Sequence, residues 1–458
     1  MSLRLPKFTD SATATKLLTN LGEEFAVVAN LSHVFPPYEL YPLAPGRKRL
    51  AHRLRAAVMD MDGTTTTTEP LCINALETMV GRISGKNTQP DWPGLDPRTD
   101  YPHIIGNSST RHVEYLLQTY GHTIQPQLFM EALVQAAAWT LGFSQDASRK
   151  SDLENMLDIL GIDRLKSDPR FRVLCTTERH DGNDERSAIG TLASELIDAF
   201  PGTDFPRLTR AAVEIYYQRY HELLSAVACA NGAPLPAYIG APSDGLLIQP
   251  MPGIGMYLAL VTGMLGDEAA TCYAPLAAHL KTSGIAISLP VDDGEAQLAS
   301  LGRHFKAHPA RVALVTSSIA YEAQVVLDEV FRQLYDEVLD WGLSQECTTR
   351  IRNRFQSPTT FYDAIVTASD SCEMRLKPHR DLYSLALGRL GLHPDEFGDV
   401  AGFEDSESGT IAIRAAGISV CCALPFHLTT GHAFEAATHT CVGGLPQVIL
   451  QERCFLPE

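Results

Sequence analysis

One short apolar run, Arg55–Met59 (RAAVM), precedes a long helical stretch, and strand–helix alternation begins only after Leu301. The run ends in charge and glycine, as strands do where α/β proteins place their chemistry. Further on, Val312–Val315, Tyr362–Val366, Val400–Phe403, Ile418–Ala423 and His439–Val442 read as strands. Predicted helices at Ala320–Leu339, Asp381–Leu390 and Thr410–Ala416 alternate with them. That alternation specifies an α/β fold with a mostly parallel, doubly wound sheet. Its first strand lies before the helical stretch and the others after it, so the stretch is an insertion and not a tandem domain.

The insertion shows apolar spacing near the helical period at Leu71–Ile83, Thr110–Tyr120, Gln127–Leu141, Leu153–Leu160, Ser187–Phe200 and Arg207–Ala230. The expected organisation is an N-terminal extension over 1–50, an α/β core from 51–68 and 302–458, and a helical cap inserted over 69–301. Hinges are expected near Thr66–Glu69 and within Gly253–Leu301, because GIGMYL and EAQLASLGRHF could each lead into the second strand. Within the extension, Ala12–Leu21 reads as a short helix. The Pro-rich VFPPYELYPLAPGRKR after it reads as an irregular arm.

A net charge of −17 argues against a nucleic-acid partner, since phosphate backbones attract basic surfaces. It leaves room for a small phosphorylated substrate at a locally basic site. The start MSLRLPKFTD lacks an apolar targeting core, and Met256–Leu265 falls short of the roughly eighteen apolar residues of a membrane span. The expected location is cytoplasmic, with no membrane partner. Ten cysteines are scattered without a C-x-x-C pair or zinc-type spacing, so they read as buried thiols in a reducing compartment. Cys421-Cys422 lies in an apolar run and reads as buried strand, not as a ligand pair.

Chemistry concentrates after the predicted strands. Met59-Asp60-Met61-Asp62-Gly63-Thr64 sets two carboxylates at i and i+2, on one side of an extended backbone, with Gly63 allowing a tight turn. Crowded carboxylates repel, and a hard divalent cation is the usual relief. Thr316-Ser317-Ser318, after Val312–Val315, can offer a hydroxyl and backbone N–H groups to an anion. Lys377, before Pro378, is a point charge able to reach a phosphate. Glu404 and Asp405 follow the strand Val400–Phe403. Each segment alone fits a plainer role: turn, helix cap, solvated lysine or acidic cap. Their order, each beyond a strand, is the informative feature.

That order resembles the haloacid dehalogenase superfamily, in the branch of phosphatases and phosphomutases with a helical cap inserted after the first strand. DMDGTTTTTEPL resembles its first motif, VALVTSS its second, FYDAIVTASDSCEMRLKPHRDLYSLALGRLGL its third and VAGFEDSESGTIAIRAAGI its fourth. The resemblance covers 56–76 and 310–442. It implies a Rossmann-like core, Mg²⁺ and an aspartyl-phosphate intermediate. By the same resemblance Asp60 attacks phosphorus and binds the metal, while Asp62 serves as general acid and base with its carbonyl on Mg²⁺. Thr316 and the Ser317 N–H hold the phosphoryl oxygens, Lys377 neutralises charge, Asp405 ligates metal and Glu404 supports or shares that role. Gly63 and Gly106 join the substrate-binding set, Gly106 through His103-Ile-Ile-Gly106-Asn-Ser-Ser-Thr-Arg111, similar to a cap loop that dips into the site.

The chain departs from that pattern in the threonine run 65–68, in the length of the insertion and in 1–50 and 325–358, which have no counterpart. Family mutases resemble one another in carrying a histidine shortly after the Glu-Pro pair, where this chain has Cys72 after Glu69-Pro70-Leu71. Hydrolysis of a small phosphorylated metabolite is therefore the expected activity. Alternatives are a phosphomutase, a phosphonate hydrolase, or a catalytically silent scaffold. A large cap could restore the missing histidine through His103 or His112.

Overall fold

The computed structural model describes residues 8–30, 35–86, 91–105, 109–178, 180, 182–236, 239, 246–287, 290–370, 375–426, 429 and 431–456. Strand β1 (Glu24–Ala29) and β2 (Tyr38–Leu43) come first in the chain, followed by β3 (Ala56–Asp60). The short β4 (Thr66–Thr67) and β5 (Gln249–Pro250) come next, then β6 (Arg311–Val315), β7 (Ala364–Val366), β8 (Val400–Glu404), β9 (Val420–Ala423) and β10 (His439–Thr440). The chain divides into two compact units. One comprises Met1–Thr66, Pro250–Ala323 and Val330–Glu458; the other comprises Thr67–Gln249 and Gln324–Glu329.

The first unit is built on a six-stranded sheet of order β10-β9-β8-β3-β6-β7. Every adjacent pair is parallel, giving a Rossmann-like α/β architecture. Strands of such a sheet are covered on both faces, which explains why β3 (AAVMD) and β8 (VAGFE) are buried at every position. On one face Val58, Val315, Val366, Tyr383, Ala386, Ile413 and their neighbours form a continuous core with the helices Asp381–Arg389 and Glu407–Ala415. Each fully buried side chain of this kind contributes about 1.5–3 kcal/mol.

The helix Ile254–Val261 is buried at all eight positions, and its Tyr257 packs edge-on against Phe403 of β8 at 5.2 Å. Phe305, in the helix Val291–Ala307, lies 5.7 Å from Phe455. An amphipathic helix of the insertion would keep a polar face; IGMYLALV has none. The GIGMYL and EAQLASLGRHF segments thus both lie in the unit that carries the sheet, and the chain crosses into it at Pro250. Met251 N–H donates to the Thr65 carbonyl at 2.9 Å, beside the first crossing at Thr66.

The N-terminal segment corrects one expectation. In place of an irregular arm, β1 and β2 pair antiparallel from Glu24↔Leu43 to Ala29↔Tyr38. The prolines do not prevent this, because Pro36 and Pro37 lie outside the strands and Pro42 lies in a ribbon of only two strands, where a missing N–H is tolerated. Arg414 fastens the hairpin to the sheet unit through Glu24 and through the Ala44 carbonyl, 2.8 Å from its Nε.

The second unit is helical, with no strand longer than its two end residues among the described positions. Its helix Glu69–Ser84 begins with Pro70 in the first turn and stops at Gly85, whose φ of 75° is left-handed. Pro126–Phe143 carries a run of small residues, Ala136–Ala138, that lets its neighbours approach closely. Phe205–Ala230 is capped by Asp204, and its buried Glu214 pairs with Arg149 at 2.6 Å.

Candidate active site

Parallel strands present their carboxyl ends along one edge of a sheet, and loops leaving that edge collect functional groups from distant sequence. Asp60 ends β3, Thr316 follows β6, Lys377 lies in the loop after β7, and Glu404 ends β8 with Asp405 next. The sheet order places β3 between β6 and β8, so Asp60 stands in the middle of the set.

The Lys377 ammonium binds Asp60 Oδ1 and also Glu404 Oε1, the latter at 2.6 Å. Tyr383 donates its hydroxyl to the same Glu404 oxygen at 3.2 Å. The other Glu404 oxygen accepts the Asp405 and Ser406 N–H groups at 3.0 and 2.9 Å and the Ser406 hydroxyl at 2.8 Å. Glu404 therefore closes the turn that carries Asp405. Gly409 leaves room for it, since a Cβ there would fall 1.8 Å from the Glu404 carboxyl carbon. Asp62 Oδ2 accepts the Thr316 and Ser318 hydroxyls at 3.3 and 3.2 Å, and Thr316 Oγ1 accepts the Ser318 N–H at 3.0 Å.

Asp60, Thr316, Glu404 and Asp405 are all buried. Burial raises the Asp60 carboxyl well above the ordinary carboxylate range; nearby Glu404 and Asp62 push it the same way and Lys377 opposes them. Burial also works against the Lys377 charge, but Asp60 and Glu404 outweigh it and hold the ammonium above its ordinary value. The Tyr383 hydroxyl is raised by burial and then by Glu404, so it stays a donor.

Asp60, Asp62, Gly63, Thr316, Lys377, Glu404 and Asp405 of the expected set thus lie at one strand edge. Ser317, beside Thr316, is exposed. Gly106 lies outside the described residues. The sequence assigned no partner to Ser318 within Thr316-Ser317-Ser318 and missed Tyr383 and Ser406; Ser406 had the signal of a hydroxyl next to Asp405, and Tyr383, six residues past Lys377, had none. In the helical unit, Cys72 Sγ lies 3.5 Å from the Tyr216 hydroxyl and 4.0 Å from His112 Nδ1. His103 instead stacks on Tyr115 at 4.4 Å.

The cluster fits a hard divalent cation. One oxygen from each of Asp60, Glu404 and Asp405 lies within 4.8 Å of the others, and the donors are all carboxylates. Gly63, at φ 80°, comes so close that a Cβ would fall 2.3 Å from Asp405 Oδ2. Buried carboxylates with one lysine among them carry more negative charge than positive, a balance that a cation redresses.

The fold and site together define a parallel α/β sheet with an acid–lysine–acid cluster on its carboxyl edge. No family model matches the chain, and no curated protein matches it. Among solved structures it is similar to CbbY from Rhodobacter sphaeroides in complex with phosphate, at 15% identity over 86% of this chain and 96% of that one, with a TM-score of 0.36. A β-phosphoglucomutase from Clostridium difficile aligns at 12% identity over 85% and 90%, with a TM-score of 0.31. A HAD family hydrolase from Deinococcus radiodurans with bound phosphate and sodium aligns at 12% over 89% and 99%, with a TM-score of 0.32. Likeness at these values assigns no residue its role.

Proposed function

We propose that the chain is a Mg²⁺-dependent phosphatase of the haloacid dehalogenase type, acting on a small phosphorylated metabolite through an aspartyl-phosphate on Asp60. The observation that carries this reading is the shared ammonium of Lys377, held between Asp60 and Glu404 with Asp405 beside them. A carboxylate so placed is oriented by one oxygen and has the other for attack.

In the first step an Asp60 oxygen bonds to phosphorus while the ester oxygen leaves with a proton from Asp62. In the second, Asp62 takes a proton from water, the water oxygen attacks phosphorus, and the Asp60–phosphorus bond breaks to release phosphate. The Thr316 and Ser318 hydroxyls orient the Asp62 carboxylate for both transfers. Lys377 stabilises charge growing on the phosphoryl oxygens. Asp60, Asp405 and the Asp62 carbonyl would hold Mg²⁺, with Glu404 setting the Asp405 turn. The ion would supply further charge neutralisation at the phosphoryl group.

The test is hydrolysis of an aryl phosphate with and without Mg²⁺, by the wild type and Asp60→Asn. The wild type should release phosphate only with the cation, and the variant should lose about a thousandfold or more in turnover. Retained turnover in the variant removes the covalent mechanism.

One observation favours a second reading, phosphomutase. His112 lies beside Cys72, so an imidazole occupies the neighbourhood in which mutases of the resembled family keep their histidine. Incubating β-glucose 1-phosphate and related sugar phosphates separates the two. Free phosphate supports the hydrolase, and isomerised sugar phosphate supports the mutase.

A further inference from the structure

Away from the strand edge that carries Asp60, three residues with soft-metal donor atoms meet inside the sheet unit. Cys422 lies on β9 and His439 on β10, directly opposite in the parallel register. Cys454 arrives from the C-terminal segment, after the turn of helix Val448–Glu452 and the left-handed Arg453. Its sulfur lies 3.1 Å from that of Cys422. A ring nitrogen of His439 lies within 4.8 Å of both sulfurs, and all three residues are buried. The Cys441 thiol, two residues past His439, lies outside that 4.8 Å set but near enough to Cys454 and Cys422 for their charges to act on one another.

Buried thiols alone need no histidine, and a buried imidazole ordinarily finds an oxygen partner on each side. Here Thr438 Oγ1 lies 3.0 Å from Nδ1 and fixes the ring, as an outer partner does for a metal-bound histidine. The same hydroxyl is itself fixed, accepting the Cys421 N–H and donating to the Cys421 carbonyl, both at 2.9 Å. Two sulfurs and an imidazole with a third thiol at hand form the donor set of a closed tetrahedral zinc site. The sequence hides it because the ligands come from two strands and the tail, with no regular spacing.

We propose that Cys422, His439 and Cys454, with Cys441 as fourth donor, bind a structural Zn²⁺ that clamps the C-terminal segment to the β9–β10 edge of the sheet. The three sulfurs become thiolates, releasing their protons to solvent, and no redox change accompanies binding. The site is independent of the proposed phosphatase chemistry, whose donors are carboxylates on the other strands.

The test measures metal content in the full chain purified without added metal, and the absorption of the Co²⁺-exchanged protein. Bound zinc at about one equivalent per chain, with sulfur-to-cobalt charge-transfer bands, supports the site. Cys454→Ser and His439→Asn should each lower zinc content at least tenfold and lower the melting temperature. Should a variant fail to fold, a mercurial thiol reagent added to the wild type should release the zinc in parallel with thiol loss. Wild-type protein free of zinc and unable to take up Co²⁺ overturns the proposal. So does a mass about two daltons low from a Cys422–Cys454 disulfide, or zinc that survives modification of all three thiols.

Discussion

Glu404 and Lys377 meet at 2.6 Å, on the carboxylate oxygen that also receives the Tyr383 hydroxyl. The lysine is thereby divided between two strand ends, and Glu404 acts on Asp60 without touching it. Replacing Lys377 by Met leaves Asp60 and Glu404 buried without their cation. Removing one partner of such a network costs about 3–5 kcal/mol. Urea unfolding at neutral pH should record a loss of that order, together with loss of turnover; unchanged stability would mean the carboxylates are relieved by another group.

Asp60 gives a pH dependence of defined sign. Burial raises its folded-state pKa, so the folded chain binds this proton more tightly than the unfolded chain does. Its contribution is favourable below the ordinary carboxylate pKa and is lost as pH rises toward the folded value. Without divalent cations, stability should therefore decline across that window, and Asp60→Asn should flatten the decline while abolishing turnover. Chelator-treated protein melted at a series of pH values reads the slope; equal slopes in the two proteins would contradict the assignment.

Gly63→Ala places a Cβ 2.3 Å from Asp405 Oδ2 at a left-handed φ of 80°. The backbone alone costs about 1–2 kcal/mol, and Asp405 must also retreat. A Mg²⁺ titration of activity should shift to higher concentration by about tenfold or more. A variant with wild-type metal dependence would show that Asp405 is not a ligand.

Ser318→Ala removes a hydroxyl that donates to Asp62 Oδ2. A single hydrogen bond to a charged group is worth about 1.5–3 kcal/mol, so kcat should fall roughly tenfold or more while KM changes little. A change confined to KM would place Ser318 in substrate binding.

The centre of the sheet was legible because β3, β6 and β8 are apolar runs that end at charged or hydroxyl residues, and they fall within a residue or two of where those runs lie. The acid pairs were legible for the same reason, standing at the ends of such runs, and Lys377 by its place between a strand and the helix Asp381–Arg389. Ser318 and Tyr383 were not, because a hydroxyl's partner is chosen by tertiary placement and leaves no local pattern. The β1–β2 ribbon was obscured by its prolines, which occupy positions where ladder bonds are not required. Ile254–Val261 was ambiguous because a helix apolar on every side carries no amphipathic stripe to say what it packs against.

The register of β3 bears on how the polypeptide acquires its shape during synthesis. Residue 56 is paired with 311 on one side and with 400 on the other. The central strand thus leaves the ribosome long before either neighbour exists, and Thr67–Gln249 of the helical unit lies in between. Closing so long a loop is slow, and it leaves an apolar strand exposed meanwhile. Within the helical unit its first long helix, Glu69–Ser84, packs against its last, Phe205–Ala230, so forming that unit shortens the effective loop between the crossings at Thr66 and Pro250. Translation past β8 therefore completes the surroundings of Asp60: until Lys377 and Glu404 have been synthesised, it lacks its ammonium partner and the carboxylate that shares it.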